Sequence, residues 1–298
     1  EMQRSRISYG SLIWQLNEIW PSGGWGVLEY SATSGSQGEV VGGRWKPLMH
    51  LLHQHLLVDV VAACGREGLC FIKSDALVSV KVQLTIQSWK LSEDLPLSTT
   101  TIQRELSPKA PLIHFSLPLE WNASDVYLLS GEYNTLDIQK IKNLETSAIL
   151  WKAPQELAAQ SKMQPLSIRC VVSDTSGSIA RLVLTSSDLA LYVMLSTATL
   201  GHFDRNAVHL VPNESQVVEF SSSAPINWSL FLSTLHVHHL MEFAVPHTLL
   251  VEFHGDHSLL QNESTHVFTR TYATGVTSRH YLLPIADAIT AWILLDLM

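Results

Sequence analysis

The sequence predicts a mainly β chain in which two immunoglobulin-like β-sandwiches follow a short N-terminal piece of different character. Three observations carry this. From Leu57 onward, short apolar segments recur at intervals and are separated by prolines and Ser/Thr clusters. Val78, Val80, Val82, Leu84 and Ile86 alternate with Ser79, Lys81, Gln83 and Thr85, the period of an antiparallel strand with one face on a core. A second set of such segments begins at Leu166 after a break in the pattern.

The first sandwich is assigned to residues 57–160, with strands at Val58–Ala62, Leu69–Lys73, Leu77–Trp89, Ile113–Leu119 and Val126–Ser130. About seven strands over about 100 residues is the immunoglobulin pattern. Asn134–Pro165 interrupts it with a polar connection at Lys140–Asn143 and a helix expected around Gln155–Gln160. The second sandwich is assigned to 161–242, with strands at Ser167–Val172, Ala180–Thr185, Leu189–Leu195, Val208–Val211, Val217–Phe220 and Trp228–Val237. Asp174–Gly177 is a turn between the first two. Residues 243–298 stay unassigned, although Leu249–Phe253 and His266–Tyr272 read as strands; Tyr281–Met298 is apolar but short for a membrane span and carries two aspartates.

The N-terminal piece, residues 1–56, centres on Gly10–Tyr30, which holds three of the nine tryptophans with Gln15, Asn17 and Glu18 and a Pro-Ser-Gly-Gly turn. Aromatic faces beside amides and a carboxylate make a surface that stacks on a ring and hydrogen-bonds its rim, as a sugar requires. A tryptophan-rich plug at the end of a barrel or sandwich fits the same composition. Residues 7–16 read as a strand, and Ser31–Gly43 as a Gly/Ser-rich loop. Pro47 opens a helix through Leu56. His50, His53 and His55 on that helix, and His236, His238 and His239 later, lack the spacing of a complete metal site, so all six are read as structural or surface histidines.

Trp14-Gln15-Leu16-Asn17-Glu18-Ile19-Trp20-Pro21, Trp25, Leu28-Glu29-Tyr30 and Gly43-Arg44-Trp45-Lys46 resemble the last barrel strand and following segment of β-mannosidases in family 2 of the glycoside hydrolases. Asn206-Ala207-Val208 extends the resemblance, which covers roughly residues 8 to 240. The family has Asp where this chain has Glu18, and Ser31–Val41 intrudes between two matching pieces. The resemblance implies that residues 1–56 are the end of a (β/α)8 catalytic barrel, with the remainder of the barrel upstream. It also implies an exo-acting retaining enzyme that removes terminal β-D-mannose from oligosaccharides, using two glutamates and no cofactor. Neither glutamate motif is matched here, and one strand with one helix cannot close a barrel, so no residue of this chain is expected to be catalytic. Trp14 is the expected sugar platform, with Asn17, Glu18, Trp20 and Trp25 at the pocket rim. The competing readings are a non-catalytic carbohydrate- or protein-binding sandwich and a related family 2 enzyme acting on another sugar.

Charge excludes other partners. Nineteen basic against 27 acidic residues give a net charge of −8, which leaves no basic footprint for nucleic acid or an anionic membrane. Of three cysteines, Cys64 and Cys70 flank a hairpin turn. A disulfide fits there, and two thiols packed as small hydrophobes is the preferred alternative. Asn122, Asn213, Asn227 and Asn262 lie in N-x-S/T sequons, which points to glycosylation and a lysosomal or secreted protein.

Overall fold

The computed structural model describes residues 13–18, 25–30, 33–34, 39–40, 44–65, 68–91, 93–108, 110–117, 124–135, 141–150, 156–157, 166–174, 176–242, 247–254 and 267–272. These are mainly β and fall into two compact units: described residues 52–157 form one, and 13–51 together with 166–272 form the other. The expected strand at 7–12, the helix beyond 157 and the apolar segment at 281–298 lie outside the described residues. Ser31–Gly43, read as loop, contains a minimal hairpin of β1 (Thr33–Ser34) and β2 (Glu39–Val40). Helix α1 (Pro47–His55) starts where Pro47 predicts, because proline suits a first turn whose N–H would find no helical partner.

The first unit contains β3 (Val60–Cys64), β4 (Leu69–Ser74), β5 (Val80–Trp89), β6 (Ser98–Leu106), β7 (Ile113–Ser116), β8 (Val126–Thr135) and β9 (Ile141–Leu150). They form two antiparallel sheets, ordered β3-β4-β7 and β6-β5-β8-β9. Val80, Val82, Leu84 and Ile86 of one sheet pack with Val60 and Ile72 of the other in a single core. Lys81 between them is exposed, as the alternation predicts. β6 and β9 correct the sequence reading, which had a Ser/Thr connection and a polar link there. Cys64 and Cys70 stand opposite each other in the β3–β4 register and form a disulfide, against the preferred reading of two thiols.

The second unit contains β10 (Leu166–Asp174), β11 (Ile179–Ser186), β12 (Ala190–Ser196), β13 (His202–Phe203), β14 (Val208–Leu210), β15 (Gln216–Ser221), helix α2 (Trp228–Thr234), β16 (His236–His238), β17 (His247–His254) and β18 (Val267–Tyr272). One sheet has the order β13-β15-β11-β10-β17-β18 and the other β14-β12-β16. β17 runs parallel to β10 and β18 extends the edge, so both strands beyond residue 242 belong to this sandwich sheet. Ile168, Leu182 and Leu249 from one sheet and Leu191 and Val193 from the other are fully buried.

Helix α2 overturns the strand expected over Trp228–Val237. Asn227 caps it, its side chain accepting the Leu230 N–H at 3.0 Å. Trp228, Phe231 and Leu232, at i, i+3 and i+4, form its buried face. Arg270 of β18 donates to the carbonyls of Leu232, Ser233 and Leu235, satisfying groups that a helix end leaves open.

Beside β16 lies a buried histidine cluster. His239 accepts the Met241 N–H at Nδ1 (3.3 Å), its ring meets His247 edge-on at 4.8 Å, and His238 Nδ1 lies 3.0 Å from Glu242. Burial, reinforced by the neighbouring His247 and His238, lowers His239 from 6.5 to about 3. The unfolded chain therefore binds a proton that the folded chain refuses between those values, and acid favours unfolding throughout that window. His239 alone is expected to cost about 2 kcal/mol of stability between pH 7 and pH 5. Urea unfolding at the two pH values checks this, with His239→Gln expected to reduce the loss and a flat profile contradicting it.

Candidate functional site

Residues 13–18, 25–30 and 44–46 form a small irregular sheet. Asn17 bridges Leu28 in parallel, and Leu28 bridges Trp45 antiparallel. Four backbone bonds join the first pair of segments: Gln15 N–H to Trp25 O (3.2 Å), Val27 N–H to Gln15 O (3.0 Å), Leu28 N–H to Leu16 O (2.9 Å) and Glu18 N–H to Leu28 O (3.0 Å). Glu29 N–H to Arg44 O and Lys46 N–H to Val27 O, both 2.9 Å, add the third segment. The Trp14–Gln15 peptide is cis.

This register sets Trp14 level with Trp25 at one end of the paired segments. Both are largely open to solvent, 75% and 77% exposed, where a tryptophan used for packing would be covered. Leu16 and Ile13 are exposed nearby, and Asn17 is exposed with its amide donating to the Glu18 carbonyl at 3.2 Å. Glu18 is different. It is 4% exposed, and its Oε1 accepts both the Gly26 N–H at 3.0 Å and the Lys46 ammonium. Trp20, the remaining expected rim residue, lies outside the described residues.

Gly26 has a steric reason. A Cβ there would lie 2.5 Å from the Asn17 carbonyl carbon and from the Glu18 nitrogen, well inside van der Waals contact, so only glycine lets the two segments pair this closely. Gly26→Ala is expected to separate them and lower stability by about 2 kcal/mol, read as a lower urea midpoint; an unchanged midpoint would contradict the close approach.

The third segment also reaches the sandwich of its own unit. Arg44 Nε pairs with Glu29 at 2.6 Å, and Arg44 donates from its guanidinium to the Thr197 carbonyl at 2.9 Å. Trp45 stacks on His202 with ring centroids 4.9 Å apart and planes 20° from parallel, and its ring also meets that of His50 in a tilted contact with centroids 5.2 Å apart. Gly26, Arg44, Lys46 and His202 were not among the site residues expected from sequence. Arg44 and Lys46 lie in the Gly-Arg-Trp-Lys piece singled out in the sequence, but nothing there marked their partners, and nothing in the sequence marked His202.

Of the sequons, Asn213 is exposed at the Val211–Glu214 turn, with φ of 65°. Asn227 is exposed with its Oδ1 engaged in capping α2. Asn122 and Asn262 lie outside the described residues. Among the described residues no group of three or more His, Cys, Asp or Glu is placed to hold a metal ion, and no helix is long and apolar enough to cross a membrane.

Residues 165–243 match the family model Ig_mannosidase, an Ig-fold domain. Among solved structures, the chain is similar to the β-D-mannosidase of Dictyoglomus thermophilum, at 14% identity and a TM-score of 0.55, over 80% of this chain and 27% of that one. It is similar also to the exo-chitosanase CsxA of Amycolatopsis orientalis, in a complex with PNP-β-D-glucosamine, at 12% identity and a TM-score of 0.53, over 78% and 30% of the two chains. No curated protein matches it in sequence. Identities this low establish likeness of fold, and the chain spans less than a third of the length of either enzyme. In sequence over residues 165–243 and in fold over about 80% of its length, the chain resembles the C-terminal part of family 2 glycoside hydrolases.

Proposed function

We propose that this chain is the C-terminal portion of an exo-acting, retaining glycosidase, and that the intact enzyme removes terminal non-reducing β-D-mannose from oligosaccharides such as N-glycan fragments. The observation that carries this reading is the exposed pair Trp14 and Trp25, level with each other on segments that the buried Glu18 ties to Lys46 and Gly26. Two apolar ring faces open to solvent suit the C–H face of a sugar, and stacking orients the ring without cleaving it. In this reading residues 1–56 end the catalytic barrel, with Asn17 and Trp20 at the pocket rim and Glu18 holding the rim from inside.

Retention requires two carboxylates about 5–5.5 Å apart across the scissile bond. Glu18 is committed to Lys46 and Gly26, and both reacting glutamates are assigned to barrel strands N-terminal to this chain. No cofactor takes part. The likeness to an exo-chitosanase favours one second reading, an enzyme for β-linked glucosamine on the same scaffold. The disulfide and the exposed Asn213 and Asn227 support a lysosomal or secreted glycoprotein.

Assays with p-nitrophenyl β-D-mannoside and p-nitrophenyl β-D-glucosaminide test this. The 298-residue chain is expected to hydrolyse neither, and the full-length protein to prefer the mannoside. Hydrolysis by the chain alone would overturn the assignment of the glutamates, and preference for the glucosaminide would favour the second reading.

A further inference from the structure

We propose that the sandwich of residues 166–272 braces the tryptophan platform, with His202 as a positioning residue for Trp14 and Trp25. The sugar-binding consequence rests on the function proposed above; the brace itself does not.

The contacts form one continuous chain. His202 is exposed and stands at the start of β13, which pairs with β15 at the edge of the six-stranded sheet. Its ring lies nearly parallel to that of Trp45 at 4.9 Å. Trp45 is half-buried and bridges Leu28 through its backbone. Lys46, next along, fixes the Val27 carbonyl with its N–H and the Glu18 carboxylate with its ammonium. Glu18 holds the Gly26 N–H, one residue from Trp25, whose carbonyl accepts from Gln15, one residue from Trp14. A second tie, Arg44 to the Thr197 carbonyl, fixes the same segment to the end of β12. Thr197 is itself anchored to α2 through Thr234 at 3.1 Å.

An exposed platform has no packing of its own to fix its attitude, so its geometry is inherited from what lies behind it. Here that support is the Arg44–Lys46 segment, and the ring of His202 limits how Trp45 can turn. Most of an exposed histidine's contribution to folding is small, which makes His202 separable from the fold as a probe.

The test uses the 298-residue chain labelled with 15N, in which the indole N–H signals of Trp14 and Trp25 are assigned with Trp14→Phe and Trp25→Phe. His202→Ala is expected to shift both signals and leave that of Trp89, buried in the other unit, unchanged; His202→Phe, which keeps a flat ring against Trp45, is expected to restore them. Titration with β-1,4-mannotriose should show affinity weakened about 3- to 10-fold by His202→Ala and recovered in His202→Phe. Signals of Trp14 and Trp25 that stay in place in His202→Ala would overturn the brace. Signals that move while mannotriose affinity, lost in Trp14→Ala, is unaffected in His202→Ala would uphold the brace and overturn its sugar-binding consequence. Equal mannotriose binding by wild type and Trp14→Ala would instead sink the sugar reading, and the indole signals alone then decide the brace.

Discussion

Lys46→Met is expected to lower the stability of the unit that carries the tryptophan segment by about 3 kcal/mol, because it leaves the Glu18 carboxylate buried without its cation. Glu18 is 4% exposed and Lys46 is shielded over most of its length, with side-chain exposure of 21%. Methionine keeps most of the packing of the lysine stem and removes the ammonium, both its charge and its hydrogen bond to Glu18. Glu18→Gln keeps an acceptor for the Gly26 N–H and lets the Lys46 head reach water, so it should cost about 1 kcal/mol. The double variant Lys46→Met/Glu18→Gln should recover part of the loss in Lys46→Met, since no buried charge remains. Urea unfolding followed by tryptophan fluorescence reads all three, and additive losses would contradict a coupled buried pair.

Asn206→Ala is the second large effect, about 3 kcal/mol. Asn206 is 1% exposed and clasps one residue of β12 from both sides: its Oδ1 accepts the Leu195 N–H at 2.7 Å and its amide donates to the Leu195 carbonyl at 2.8 Å. The same Oδ1 also accepts the Ala207 N–H at 3.1 Å. Alanine would orphan a buried donor and a buried acceptor on one residue, each costing about 1–3 kcal/mol. The loop that follows is already held in a left-handed conformation, with Ala207 at φ of 55°, so it cannot relax cheaply to cover the gap. The midpoint of urea unfolding should fall accordingly, and a shift below about 1 kcal/mol would mean that water replaces the amide.

Much of the fold could be read from residue order because burial follows side-chain period in strands such as β5, where Val80 to Ile86 point into one core and Lys81 faces water. β6 escaped because Ser-Thr-Thr-Thr-Ile-Gln-Arg-Glu-Leu is an edge strand with only Leu106 buried, so it carries almost no apolar period. β9 escaped because a register shift opposite Leu129–Gly131 breaks its alternation. Trp228–Leu232 misled for the opposite reason: tryptophan, phenylalanine and leucine suit a strand as well as a helix, and the deciding signal was the Asn227 cap. At the candidate site, the tryptophans read equally as a stacking surface or as a plug, and it is the exposure of Trp14 and Trp25 that favours the surface. The Glu18–Lys46 pair was not, because their encounter depends on three segments pairing across Gly26, a tertiary event with no local pattern.

The most direct test of the sugar platform is the kcat/KM of the full-length protein for p-nitrophenyl β-D-mannoside with and without Trp14→Ala. Loss of a stacked ring face is expected to lower kcat/KM about tenfold, with the urea midpoint unchanged because Trp14 is exposed. An unchanged kcat/KM would contradict the assignment of Trp14 to the sugar and with it the reading of this segment as the rim of a glycosidase pocket.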